Sequence, residues 1–190
     1  MLNALLRRLV ASRAFGDIER GDPVCLEARL DGALDPNVKR HYPGTQFNQS
    51  LLLCAVELYR YPCAEVLLDH GANPNQFNEV GSSPFGNVLH HIARVIDDDR
   101  LVFTPALPYE THPAMTLAMH MCGAGADRHF RPAGFQEPTA LHCAGPSAQS
   151  QHFEATIDAW LTTQLARFQA QGLDQNTAKT IVPDRANPRL

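Results

Sequence analysis

Histidine and cysteine are the residues of this chain with the most chemistry to offer: nine of one and five of the other in 190 residues. Their spacing decides what that chemistry is. On a helix, two ligands share a face when they stand three or four residues apart. His90 and His91 are adjacent, and a helix turns neighbours about 100° apart. His120 and Cys122 are two apart, and His142 and Cys143 are adjacent again. The chain contains no Cys-x-x-Cys and no His-x-x-x-His pair, so a closed tetrahedral zinc site is not expected, and neither is any cofactor. Nucleophilic catalysis has no local signature either: there is no Gly-x-Ser-x-Gly, no phosphate loop and no paired-glycine fingerprint. Cys143 beside His142 is not a dyad, because sequence neighbours on a helix do not face each other. Asp97, Asp98 and Asp99 could hold a cation, but a solvated acidic helix end is the simpler reading. Negative charge there opposes the dipole of a helix C-terminus. The expectation is that the helix stops earlier or that these acids meet a basic partner. The residues therefore point away from an enzyme; the competing reading is a metal or cofactor enzyme built from His90, His91 and the segment after them.

Composition bounds the remaining classes. Apolar residues make up 44% of the chain, enough for a continuous core and too many for disorder throughout. A net charge of −4 argues against a nucleic-acid platform, which carries a basic patch. The cysteines, Cys25, Cys54, Cys63, Cys122 and Cys143, are odd in number and each sits in an apolar, helix-like stretch. Buried reduced thiols in a reducing, cytoplasmic compartment are expected. No run of 18 apolar residues exists, so no membrane partner is expected. Near the N-terminus, Leu2, Leu5, Leu6, Leu9 and Val10 form a helical stripe, with Arg7, Arg8 and Arg13 and no acid before Asp17. That pattern fits a helix capping a stack, and it also fits a mitochondrial presequence. Secretion by a specialised bacterial machine leaves no mark in these residues.

The elements that must position any site come next. In residues 55–75, Cys63, Val66, Leu67 and His70 follow helical spacing with Ala64 and Leu68 beside them. Leu67 and Leu68 are expected in the core. Gly71 stands where a helix C-terminus favours positive φ, and Asn73, Pro74 and Asn75 favour a turn. A helix this short cannot bury its apolar face alone, so a stack of neighbours is implied. The stretch from Ala55 through Gly71-Ala72-Asn73-Pro74-Asn75 resembles the second half of an ankyrin repeat. Further matches are similar. Gly21 to Asn37 resembles a degenerate first repeat, with its closing glycine slipped to Gly32 and with Cys25, Leu26, Leu30 and Ala33 on its buried face. Ser50-Leu51-Leu52-Leu53 and Ser83-Pro84-Phe85-Gly86 stand where the family has Thr-Pro-Leu-His. Gly125-Ala126-Asp127 closes another repeat, and Thr139-Ala140-Leu141-His142 carries the family histidine.

The resemblance implies an all-α ankyrin-repeat solenoid over residues 1–171, with about four helix pairs, short hairpin loops and capping helices at both ends. The units are expected at Met1–Gly44, Thr45–Phe77, Asn78–Arg131 and Pro132–Gln171. Gly71 to Gly125 spans 54 residues against a family period of about 33. About 21 residues are therefore expected as an insertion between the helices of the third pair, spanning roughly 97–111. Two prolines, Pro105 and Pro108, keep that segment out of a helix interior. The last helix, from about 151 to 171, presents Phe153, Ile157, Trp160, Leu161, Leu165 and Phe168 on one face and Glu154, Asp158, Gln164 and Arg167 on the other. Residues 172–190 have few anchors and are expected to form a loose tail.

The resemblance also implies a function class. Ankyrin stacks bind proteins on a concave face lined by hairpin tips and inner helices. Carried onto this chain, the partner-binding positions are Gln46, Phe47, Gln49, Glu57 and Leu58, then Phe77, Glu79, Val80, Ser82, His90 and His91, with Phe130 at a further hairpin tip. The stacking is expected to set Glu57 and Leu58 beside His90 and His91, all on one exposed face with the insertion on its rim. The expected function is a non-catalytic module, monomeric when free, that holds one protein partner of unknown identity. By fold-level analogy that partner is a toxin neutralised by an immunity protein, or a host protein met by a bacterial effector.

Overall fold

A computed structural model describes residues 2–41, 47–99, 104–127 and 155–170. The chain is mostly helical. Helices α1 (Leu2–Arg20), α2 (Pro23–Asp31), α3 (Leu51–Glu57), α4 (Tyr61–Asp69), α5 (Pro84–Asp99) and α6 (Pro113–Gly123) are joined by a two-stranded antiparallel sheet of β1 (Lys39–His41) and β2 (Asn48–Ser50). A further helix, α7, covers 155–170. Each strand is three residues long, and Lys39 pairs with Ser50 across the hairpin.

The helices pack as pairs, α1 on α2, α3 on α4 and α5 on α6. Neighbouring pairs meet like to like: α1 touches α3, α3 touches α5, α2 touches α4 and α4 touches α6. Two rows result. The row of α1, α3 and α5 buries Phe15, Ile18, Leu51, Leu52, Phe85 and Ile92, and the other row adds Leu26, Leu67, Met115 and Leu117 to the same core. Leu67 is fully buried and Leu68 is nearly so, as their spacing implies.

Caps explain where the helices begin and end. Ser50 Oγ accepts from the Leu53 amide and Ser83 Oγ from the Gly86 amide, each at 3.1 Å. The two serines stand 33 residues apart and start equivalent helices, capping the amides that a helix start leaves unpaired. The second-row helices end alike. Ala72 and Ala126 amides reach back to the carbonyls of Leu67 and Met121, with Gly71 and Gly125 at φ of 82° and 86°. In the first pair Leu34 reaches Arg29 in the same way, but the left-handed residue is Ala33, at φ 69°. The expected role of Gly32 is thus corrected: its φ is −76°, and the closure keeps its geometry by straining an alanine.

Closure is reinforced by side chains that sequence spacing did not reveal. The Asn37 side chain accepts from the Asn73 amide at 2.7 Å and donates to the Gly71 carbonyl at 3.3 Å. Asn75, 38 residues on, repeats this with the Asp127 amide and the Gly125 carbonyl, both at 2.8 Å. Each pair is stitched to the next by one asparagine using both ends of its amide.

Several expectations change. Cys25 is exposed, while Cys54 and Cys63 are buried; Ala33 is exposed too, so α2 buries only Leu26 and Leu30. Leu9 is exposed, and among its described side chains α1 buries Ala11, Ala14, Phe15, Asp17 and Ile18. Helix α5 runs on through Asp97–Asp99 rather than stopping before them. The extra residues also divide differently: α6 has 11 residues where α4 has 9, so part of the excess lies inside a helix.

The described part of the insertion, 104–111, is tied down. Trp160 of α7 donates its indole N–H to the Leu107 carbonyl at 2.8 Å, and Gln164 donates to the Pro105 carbonyl at 3.1 Å. Tyr109 meets Phe168 edge to face. Gln164, expected on the solvent side of α7, is therefore buried with Ile157, Trp160 and Leu161. The fourth unit's residues 132–154 and the tail 172–190, with His142, Cys143, Phe153 and Phe130, lie outside the described residues.

Candidate binding surface

The residues expected to line one face fall into two groups. The first gathers at the hairpin side. Glu79 sits in the turn before α5 and takes two bonds from Asn48 of β2, from its amide at 2.8 Å and its side chain at 2.7 Å. These bonds hold the Glu79 carboxyl below the usual carboxylate range. The turn itself is built by Asn78, whose side-chain oxygen accepts from the amides of Val80 and Ser82 while Gly81 adopts φ 82°. That geometry pushes Val80 outward, 43% exposed. Lys39 of β1 donates to the Phe77 carbonyl at 2.7 Å and lies 5.8 Å from the centre of its ring. Phe47 and Phe77 are half-buried rather than standing free. Gln46 lies outside the described residues.

Gln49 is buried and reaches along α3 to donate to Glu57 at 2.5 Å. Burial raises the Glu57 carboxyl, and the bond from Gln49 partly offsets it. Both residues thus serve each other. Leu58 is half-buried against the core.

The second group centres on His91, and here the expectation of an exposed residue is overturned. His91 is only 5% exposed. Tyr59 lies flat on its ring, centroids 4.0 Å apart and planes 13° from parallel. Tyr61 meets it edge-on, and its hydroxyl lies 3.1 Å from Nδ1. Burial pushes the imidazole down to about 4, and His90, Arg94 and His112 add positive charge that pushes the same way. Burial also pushes the Tyr61 hydroxyl up to about 12. A hydroxyl that keeps its proton thus faces an imidazole that stays neutral. His90 is half-buried, with its ring 6.5 Å from that of His91.

Tyr59 and Tyr61 were not singled out by spacing. The signal was the 38-residue offset of the asparagine stitches, which aligns Tyr59-Arg60 with Gly21-Asp22. Gly21 takes φ 70° at the turn between its helices, and Tyr59 takes φ 56° at the equivalent turn. His112, which the sequence did not single out, accepts from the Ala114 amide at 3.1 Å and caps α6. Among the described residues no group of three or more His, Cys, Asp or Glu side chains could hold a metal, and no helix is long and apolar enough to cross a membrane.

In comparisons with known proteins, no family model matches the chain, and no curated protein matches its sequence.

Proposed function

We propose that the chain is a divergent ankyrin-type stack whose hairpin side holds one protein partner, without catalysis. The observation that carries this reading is the repeated asparagine stitch. Asn37 and Asn75 make the same two bonds to successive closures, which is the behaviour of a repeated unit and not of an arbitrary helical bundle. The 33-residue offset of the caps Ser50 and Ser83 supports the same reading, since it is the family's period. A stack of this kind positions its turns side by side, and such surfaces bind macromolecules.

On the hairpin side the bonded groups leave a defined contact set. Asn48 and Glu79 fix each other, so their arrangement is set before a partner arrives, which lowers the ordering cost of binding. Val80 supplies exposed apolar surface beside them. A photo-reactive residue placed at Val80 in the source cell tests the reading, with the same probe at the 72% exposed Val24 of α2 as its control. One defined protein captured from Val80 and not from Val24 supports it, and its identity distinguishes a toxin from a host protein. Equal capture from both positions, or capture from Val24 alone, would overturn it.

A further inference from the structure

Tyr59 occupies a backbone conformation that suits glycine. At φ 56° a residue with a Cβ is strained, because left-handed geometry brings the Cβ against the following carbonyl oxygen. The fold itself shows the inexpensive solution, since the equivalent turn of the first pair uses Gly21. Stacking on His91 offsets part of that strain. The ring therefore adds little net stability at this place. Strained residues that the local fold does not require concentrate at functional sites.

The setting indicates what Tyr59 is for. One face of its ring covers His91, yet the residue is 51% exposed, an aromatic side chain at the surface among the described residues. Cations flank it. Arg60 follows it directly and is exposed, with its guanidinium resting on the Glu19 carbonyl at 3.2 Å. Arg94 lies one helical turn beyond His90 on α5 and is exposed too. Arg94 acts on His91 with positive charge, so a permanent cation lies near the ring that Tyr59 covers. Glu57, the nearest acid in the sequence, is turned to Gln49.

We infer that Tyr59, Arg60 and Arg94 form a second docking surface, for an acidic peptide segment of a partner protein. Tyrosine offers an aromatic face for the peptide's apolar atoms, and the two arginines offer forked donors for its carboxylates. The surface is separate from the hairpin side, because Tyr59 follows the C-terminal end of α3 while Val80 precedes the N-terminal end of α5. It therefore stands whether or not a partner is found at Val80.

A phage-displayed library of 12-residue peptides, selected on the full chain and counter-selected on Tyr59→Gly, tests it. Tyr59→Gly relieves the backbone and should stay folded, which circular dichroism and a urea midpoint verify. The expected result is a set of peptides rich in Asp and Glu. Their affinity should fall at least tenfold for Tyr59→Gly, and at least tenfold again for folded Arg94→Glu, and it should weaken as salt rises. The absence of peptides that discriminate Tyr59→Gly, or the selection of discriminating peptides without acidic residues, would overturn the proposal. So would affinity that survives Arg94→Glu.

Discussion

Acidification should unfold this protein through His91, and the size of the effect follows from its burial. The ring is 5% exposed and its proton affinity is pushed from the usual 6.5 to about 4. In the unfolded chain the same imidazole takes up its proton near 6.5. Between those values the unfolded state binds more protons than the folded one, so stability falls as pH falls. It is fully present above pH 6.5 and drains away down to about pH 4. Each pKa unit corresponds to 1.36 kcal/mol. The loss is then about 2 kcal/mol at pH 5 and about 3 kcal/mol at pH 4. His70 acts in the opposite direction. Its bonds to the Val66 carbonyl and Asp31 raise its proton affinity, so its small contribution is present at low pH and lost as pH rises. Glu57, raised by burial, also favours low pH. The His91 contribution is isolated by comparing wild type with His91→Gln, whose amide never titrates. Urea midpoints for both proteins at pH 7, 6, 5 and 4.5 should diverge on acidification, with wild type losing about 2 kcal/mol more than the variant by pH 5. Parallel loss in the two proteins would refute the reasoning, and would place the acid sensitivity in the carboxylates instead.

Three further outcomes follow from the packing. Ala33→Gly should stabilise the chain by up to about 1 kcal/mol, as relief of left-handed strain outweighs the added freedom of the unfolded chain; a lower thermal midpoint would count against it. Asp17 is fully buried and receives bonds from Arg20 and Arg29, whose side chains stay at least partly open to water, so Asp17→Ala should destabilise by about 1.5–3 kcal/mol in urea titration, the contribution of hydrogen bonds to a charged group. An unchanged midpoint would show that the two arginines rest equally well without it. Trp160→Phe keeps the aromatic packing but removes the bond to Leu107, so cleavage within 104–111 by a broad-specificity protease should accelerate several-fold at unchanged helical content, a bond of this kind contributing about 1 kcal/mol.

The closures were legible because they depend on single residue types. Gly71 and Gly125 announce left-handed turns, and Leu67 and Leu68 carry a helical period ending at one of them. Ser50 and Ser83 were placed by the resemblance at the starts of their helices, and their capping bonds came only with the structure. What escaped were arrangements that need two distant parts of the chain. Nothing in the period of α2 says that Cys25 faces out, because α1 and α4 decide which stripe is covered. His91 looked like a surface histidine, since the residue that buries it, Tyr59, belongs to the preceding pair and sits in a conformation atypical of tyrosine. Gln164 looked solvent-facing because α7 was read as an ordinary amphipathic cap; the carbonyl of Pro105 that accepts from it lies 59 residues away. The slip to Gly32 misled for a simpler reason: the chain kept its geometry and strained Ala33 rather than moving the turn.

The asparagine stitches have a consequence for how this chain comes apart. Each asparagine belongs to one unit, yet both of its partners are backbone groups in the closure of the next. When a closure frays, the neighbouring asparagine loses both bonds together, and when a unit opens it releases the following one. Stability along the row is thus held as coupling between neighbours as much as within each helix pair. Asn75 stands at the joint between the second and third pairs, the place where α5 and the residues that follow it lengthen the third unit. That joint is spanned by the shared apolar core as well, so the two amide bonds of Asn75 add direction to a contact that packing alone would leave free to slide.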